Sequence, residues 1–230
     1  SDESGDALVF TQKLARLCEQ GGVQARWNTQ ILALERQGQQ LSGVRVRNAQ
    51  GGQETLQADV YVVALASYAP ALVNPVAECL NIYPAKGYSA TLRLRRPERA
   101  STVSLLDDTR KIAISRLGDR IRIAGTAELA GMDTRLDSAT AQVRCRALVK
   151  RYEELFPGVA DPSEPNYWTG LRPSTPTNIP YIGRSRRLGN LWFNCGHGTL
   201  GWTHGAGSGH ALAELIGGRR PDTAFNFYGV

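Results

Sequence analysis

No stretch of this 230-residue sequence approaches the roughly 20 consecutive apolar residues that a helix needs to cross a bilayer, so a helical membrane span is not expected. Cysteine is scarce. Cys18, Cys79, Cys145 and Cys195 stand at wide spacings, with no C-x-x-C pair and no compact His/Cys cluster of the kind zinc uses. They read as reduced thiols in a cytosolic protein. The opening Ser-Asp-Glu-Ser-Gly-Asp lacks both the basic start and the apolar stretch of a secretory leader, and the expected location is the cytoplasm. Aromatics are not interleaved with the basic residues, so the net charge of +6 is not organised as a nucleic-acid platform. Arginines instead alternate along strand-like segments (Arg93, Arg95; Arg120, Arg122) or form short clusters (Arg184, Arg186, Arg187; Arg219, Arg220). Such a surface is either merely solvated or suited to anionic lipid.

What is present is average for a globular chain: 42% hydrophobic and 21% charged residues, enough for one large domain or two small ones. Leu8, Val9, Leu14, Leu17 and Cys18 recur at helical period, with Ser4 or Asp6 as a cap and Gly21-Gly22 as a stop. Short strands are expected at Val23–Trp27, Ile31–Glu35 and Leu41–Arg47. The apolar run Ala58–Leu65 reads as a central strand buried on both faces. Four strand-like segments follow, Tyr88–Arg95, Thr102–Leu106, Ile112–Arg116 and Arg120–Ala124, and suggest an antiparallel sheet. Ser138–Phe156 reads as a helix with Val143, Ala147, Leu148, Tyr152 and Leu155 on one face. A strand at Asn190–Asn194 and a helix from Gly201 to Ile216 close the pattern. The order suggests two interleaved units: residues 1–75 with 165–230, and an inserted sheet-and-helix block over 76–164.

Gly196-His197-Gly198-Thr199-Leu200-Gly201 is a literal G-x-G-x-x-G between a predicted strand and a predicted helix. A dinucleotide fingerprint also needs a second strand ending in an acidic residue about 20 positions on. Arg219-Arg220-Pro221-Asp222 stands there instead. Two readings remain: a tight strand-to-helix turn and nothing more, or a helix N-terminus whose N–H groups hold localised negative charge, such as that at N1 and the C2 carbonyl of a reduced flavin.

Four segments together resemble the D-amino-acid dehydrogenases of the FAD-dependent D-amino-acid oxidase and glycine oxidase-like family: Trp168-Thr-Gly-Leu-Arg-Pro173, Pro180-Tyr-Ile-Gly183, Asn190-Leu-Trp-Phe193 and Gly196-His-Gly-Thr-Leu-Gly-Trp-Thr203. Tyr83-Pro-Ala-Lys-Gly-Tyr-Ser89 and Asp2-Glu-Ser-Gly-Asp6 add to the resemblance, which covers the whole chain. It implies an α+β protein with α/β character: an incomplete, Rossmann-like FAD-binding domain lacking its N-terminal βαβ, with an inserted antiparallel sheet-plus-helix substrate domain. It implies FAD as cofactor, a D-amino acid as substrate, and electrons delivered to a respiratory-chain acceptor at an anionic, inner-membrane surface.

The resemblance also assigns roles. Arg172 would anchor the substrate carboxylate, against a surface salt bridge as the alternative, and Tyr88 would touch substrate or flavin, against strand packing. Ile31 would meet the adenine through its backbone, and Ala66, where the family has glycine, would approach the ADP moiety. Lys86 and Gly87 would lie where the inserted block meets the flavin. Gly198, Leu200, Gly201, Trp202 and Thr203 would bound the pyrimidine end through backbone donors, with His197 either a flavin contact or a packed histidine. Oxidation of glycine or sarcosine, and a non-catalytic remnant, are the alternatives to D-amino-acid deamination.

Overall fold

In the computed structural model, which describes residues 5–221, the first helix, α1 (Ala7–Gln20), starts where Asp6 accepts from the N–H groups of Leu8 and Val9 at 3.0 and 3.3 Å. Ser4, the other candidate cap, lies outside the described residues, as does Asp222. No residue of α1 is buried, and its apolar side chains Leu8, Val9, Phe10, Leu14 and Leu17 are 44 to 63% exposed. Val23–Trp27 forms no strand; Val23 and Trp27 are exposed, and among the described residues no neighbouring strand offers them a ladder.

The chain divides into two compact units. One runs up to Gly21 and resumes over Pro84–Leu171; the other comprises Gly22–Tyr83 and continues from Arg172. The breaks fall several residues from those expected at 75 and 165, and α1 groups with the middle block, having no buried face to give the segment that follows it.

The unit beginning at Gly22 contains an antiparallel sheet of β1 (Gln30–Gln37), β2 (Gln40–Arg47) and β3 (Gln53–Leu56), and a second sheet in the order β10 (Tyr181–Arg184), β11 (Leu191–Cys195), β4 (Tyr61–Val63). β11 runs antiparallel to β10 and parallel to β4, the arrangement of a crossover fold. β4 is a correction to the expected central strand. It has one strand neighbour among the described residues, and while Tyr61 and Val63 are buried, Val62 is 47% exposed. Helices α2 (Ala69–Val73) and α4 (Gly201–Ile216) belong to this unit, whose core gathers Leu34, Tyr61, Val63, Val73, Leu191 and Phe193.

The other unit is built on a five-stranded sheet in the order β6 (Leu105–Asp107), β7 (Ile112–Leu117), β8 (Arg120–Glu128), β5 (Tyr83–Arg93), β9 (Asn166–Ser174), with α3 (Ala139–Leu155) against it; the last residues of β9, from Arg172, fall in the unit beginning at Gly22. The β6–β7, β7–β8 and β8–β5 pairs are antiparallel. Ser138 caps α3 as expected, its hydroxyl accepting from the Ala141 N–H. The buried seam of α3 is Ala141, Cys145, Leu148 and Tyr152, spaced i, i+4, i+7, i+11. Val143, 60% exposed, and Leu155, 41% exposed, point away from it, so the expected face is rotated. Alternating residues of β5, Tyr88, Ala90 and Leu92, meet that seam in one core.

All four cysteines are free thiols, Cys145 and Cys195 buried, and burial pushes the Cys195 thiol up to about 12. Among the described residues no helix is long and apolar enough to cross a membrane, and no group of acidic, histidine and cysteine side chains could hold a metal ion.

Candidate functional site

Strand β11 ends at Cys195, and the chain turns into α4 through Gly196 and Gly198, both at positive φ (82° and 55°). The Gly198 N–H donates to the Pro173 carbonyl at 2.9 Å, which fastens this turn to the end of β9 next to Arg172. The Leu200 N–H donates to the His197 carbonyl at 3.0 Å. Both donors, which the resemblance assigns to the flavin edge, are spent within the protein, one on β9 and one inside the turn, and hold the turn in shape. Among the described residues the first turn of α4, which starts at Gly201 and runs through Trp202 and Thr203, has no side-chain cap, and its N-terminal end brings the positive pole of the helix dipole to this place.

Arg172 is half-buried, and burial draws its pKa below the ordinary value. A guanidinium still keeps its proton at any relevant pH. A partly desolvated, permanent positive charge on a strand end is a strong anchor for a carboxylate. Two residues upstream of it, Gly170 leaves room for the exposed Trp168 indole to lie against the strand, a site that a Cβ would fill.

His197 Nε2 lies 3.2 Å from the Ser208 hydroxyl, which itself donates to the Gly205 carbonyl at 3.2 Å. While its proton is on the Gly205 carbonyl, Ser208 can only accept from an Nε2–H, which is the tautomer that leaves His197 Nδ1 as an acceptor. Desolvation first, and the neighbouring His204 second, lower the His197 pKa. The unfolded chain takes up this proton near 6.5 while the fold resists it, so stability is whole above that pH and falls as pH drops below it. The His197→Gln variant is expected to lose less stability than the parent between about pH 7 and pH 5.5, read as the shift in urea midpoint; equal losses would remove His197 from the account.

A second locus in the same unit is a cleft of about 380 Å³ lined by Thr29, Ile31, Leu32, Leu65, Tyr68 and Leu72, among others. Its apolar walls and the exposed Tyr68 ring suit a flat heteroaromatic such as adenine. Ala66, between Leu65 and the Ser67–Tyr68 turn, has φ 48°, a left-handed conformation that costs an L-residue about 1–2 kcal/mol. Ser67 beside it is 5% exposed, and its hydroxyl has no hydrogen-bond partner among the described residues. The Ala66→Gly variant is expected to raise unfolding free energy by about 1 kcal/mol, less the added freedom of the unfolded chain. Urea denaturation checks it, and a destabilised variant would contradict the strain.

Lys86, Gly87 and Tyr88 lie in the other unit. Lys86 is 1% exposed, and its ammonium donates to the Arg135 carbonyl at 2.6 Å and sits 5.4 Å from the Tyr88 ring centroid. The Tyr88 hydroxyl donates to Glu128, whose carboxylate also lies 3.9 Å from Arg144 Nε. Burial, then the Glu128 hydrogen bond, raises the Tyr88 pKa. Opposite these residues β8 carries a bulge: Lys86 pairs with Glu128 but Tyr88 with Gly125, and within it Thr126 has φ 58°. Lys86 and Tyr88 therefore share the face of β5 that α3 covers. Gly87 is on the opposite face, its carbonyl accepting from Thr169 Oγ1 at 2.8 Å.

Thus Arg172, His197, Gly198 and the start of α4 come together in one place, Ile31 lines a separate cleft with Ala66 next in sequence to its Leu65 wall, and Lys86, Gly87 and Tyr88 lie on the sheet of the other unit. Spacing gave no warning of Leu65, Ser67, Tyr68 or Ser208. The donors and shapes fit the parts of FAD: an apolar cleft for adenine, a bare turn with a buried hydroxyl, and an uncapped helix start for an electron-rich ring edge.

A D-amino acid dehydrogenase from Dechloromonas aromatica is 52% identical across 99% of this chain, and one from Methylobacterium radiotolerans is 48% identical across 97%. The chain spans about half the length of these relatives, 53% and 51%. Among solved structures, an iminodiacetate oxidase from a Chelativorans species superposes with a TM-score of 0.76 at 20% identity, covering 96% of this chain and 57% of its own. Glycine oxidase from Geobacillus kaustophilus gives 0.69 at 25% identity, covering 86% and 50%. Residues 2–215 match the DAO family, and the chain belongs to these FAD dependent oxidoreductases.

Proposed function

We propose that this chain carries the substrate-anchoring and flavin-facing part of an enzyme that oxidatively deaminates D-amino acids to 2-oxo acids and ammonia. The observation that carries the reading is the hydrogen bond from Gly198 N–H to the Pro173 carbonyl, which fixes the turn before α4 beside Arg172. FAD, when bound, supplies the hydride acceptor. The unit starting at Gly22 would hold it, with adenine in the cleft at Ile31 and the ADP moiety near Ala66 and Ser67, while the α4 start with Gly201, Trp202 and Thr203 would meet the ring's pyrimidine edge.

Arg172 would receive the substrate carboxylate on two parallel N–H groups, fixing which Cα–H faces the ring. No side chain has to act as a strong base, because a neutral amine supports hydride departure. His197, with a lowered pKa, stays uncharged near neutral pH and adds no second cation beside Arg172. The burial of Tyr88 and Lys86 on the α3 face favours their packing role over substrate contact, with Gly87 left to face the other way. The relatives named D-amino acid dehydrogenase support the substrate class. The net charge of +6 supports delivery of electrons to a respiratory acceptor at an anionic membrane face. Anaerobic mixing of the FAD-reconstituted protein with D- and L-amino acids tests the reading: bleaching with D-enantiomers alone is expected, and bleaching only with glycine or sarcosine would replace the substrate class.

A further inference from the structure

The loop between β10 and β11 is built around a buried carboxylate that plays no part in the chemistry above. Glu78, 7% exposed, accepts from the Ser185 hydroxyl at 2.7 and 2.9 Å and from the backbone N–H groups of Arg186 and Arg187 at 2.6 and 2.9 Å. The Ser185 oxygen in turn accepts from the Leu188 N–H at 2.9 Å. Asn190 ties this loop to the neighbouring hairpin, accepting from the Leu41 N–H at 2.8 Å and donating to the Leu41 carbonyl at 3.0 Å. The Gly189 N–H adds a bond to the Gln39 carbonyl at 2.9 Å. Both backbones are held in place, and the charge of Glu78 is taken up by hydroxyl and backbone donors, not by the guanidinium groups of the same loop.

Between the loop and the β1–β2 turn opens a cavity of about 690 Å³, lined by Gln39, Gln40, Arg184, Arg186, Arg187 and Trp192, with Leu215 at its edge. Among the described residues no lining residue is acidic. Among the described residues none of the three arginines enters an ion pair, although nine other basic residues do. Arg187 spends one N–H on the Ala77 carbonyl at 3.1 Å, which orients the rest of its fork. Three cations held within four positions on a fixed backbone repel one another, and an anion seated between them relieves that repulsion.

The geometry points to a binding site for a phosphate-bearing ligand in this cavity. Planar guanidinium forks match phosphate oxygens in pairs, the carboxamides of Gln39 and Gln40 supply further donors, and the Trp192 indole with Leu215 offers an apolar wall to the ester's carbon part. The volume lies within the range of small-molecule sites. The phosphate is either that of a soluble ester or the headgroup of an anionic lipid, and the two sources separate by experiment.

The test uses the full chain at low ionic strength with two probes: inorganic pyrophosphate followed by calorimetry, and co-sedimentation with phosphatidylcholine vesicles with or without phosphatidylglycerol. At least one probe is expected to bind, weakening as salt shortens the Debye length. The Arg184→Gln/Arg186→Gln double variant, whose side chains make no hydrogen bond to the loop among the described residues, is expected to lose roughly tenfold or more in affinity. Arg47→Gln/Lys150→Gln, which removes the same charge elsewhere, should stay within about twofold. Circular dichroism of both variants establishes that they are folded. Pyrophosphate binding assigns a soluble ester, and vesicle binding without pyrophosphate binding assigns a lipid headgroup. Binding of neither probe, or equal weakening by the two double variants, overturns the site.

Discussion

Replacing Arg172 with Gln is expected to lower kcat/KM for D-amino acids by roughly a hundredfold to a thousandfold, about 3–4 kcal/mol, because removal of one partner of a desolvated charge pair leaves the substrate carboxylate without its counter-charge. Most of the loss should fall on KM if Arg172 only binds, and on kcat as well if its two N–H groups also set the angle at which Cα–H approaches the ring. Arg172→Lys should recover a minority of the activity, since an ammonium restores charge but not the planar fork. Steady-state kinetics of the FAD-loaded protein, with circular dichroism to establish folding, decide it. An Arg172→Gln variant with parental kinetics would assign the residue to structure alone.

The Gly196→Ala substitution should destabilise the protein by about 2–5 kcal/mol, from two additive causes. The backbone at Gly196 has φ 82°, and a Cβ there would stand 2.8 Å from Thr175 Cγ2. Strain of about 1–2 kcal/mol and a packing clash of about 1–3 kcal/mol follow. Gly198 supplies the control: its φ is 55°, but among the described residues nothing lies within 4 Å of the added atom, so Gly198→Ala should cost about 1 kcal/mol from strain alone. Urea unfolding monitored by tryptophan fluorescence measures both. Equal losses would mean that Thr175 moves aside and that the turn is less tightly bounded than its geometry implies.

The same turn shows what a sequence can reveal. The helix over 201–216 is legible because apolar spacing, a preceding strand and Gly217-Gly218 agree locally, and α4 keeps those bounds. The motif Gly196–Gly201 also advertises a tight turn. Which N–H groups remain for a ligand is not legible, because the Pro173 carbonyl that takes the Gly198 donor comes from a strand 25 positions earlier, and no local pattern reports such a bond. β5 makes a similar point. Period-two alternation puts Lys86 and Tyr88 on one face and Gly87 on the other, but the face that α3 covers depends on tertiary packing. The rotated seam of α3 has a simple cause: Ala141 and Cys145 are small enough to sit against the sheet, while the more hydrophobic Val143 is left outside. The position of β4 is illegible for a related reason, since an apolar run does not say how many neighbours its strand has. The departure at Ala66, by contrast, was visible as an alanine in place of glycine, and its positive φ supplies the physical meaning.

The most direct test of the central proposal is a visible absorption spectrum of the chain after mixing with excess FAD and gel filtration, followed by anaerobic addition of D- and L-amino acids. The account predicts flavin bands that travel with the protein and are bleached by D-amino acids but not by their L-enantiomers. A chain that emerges colourless, or bound flavin that no D-amino acid bleaches, would contradict it.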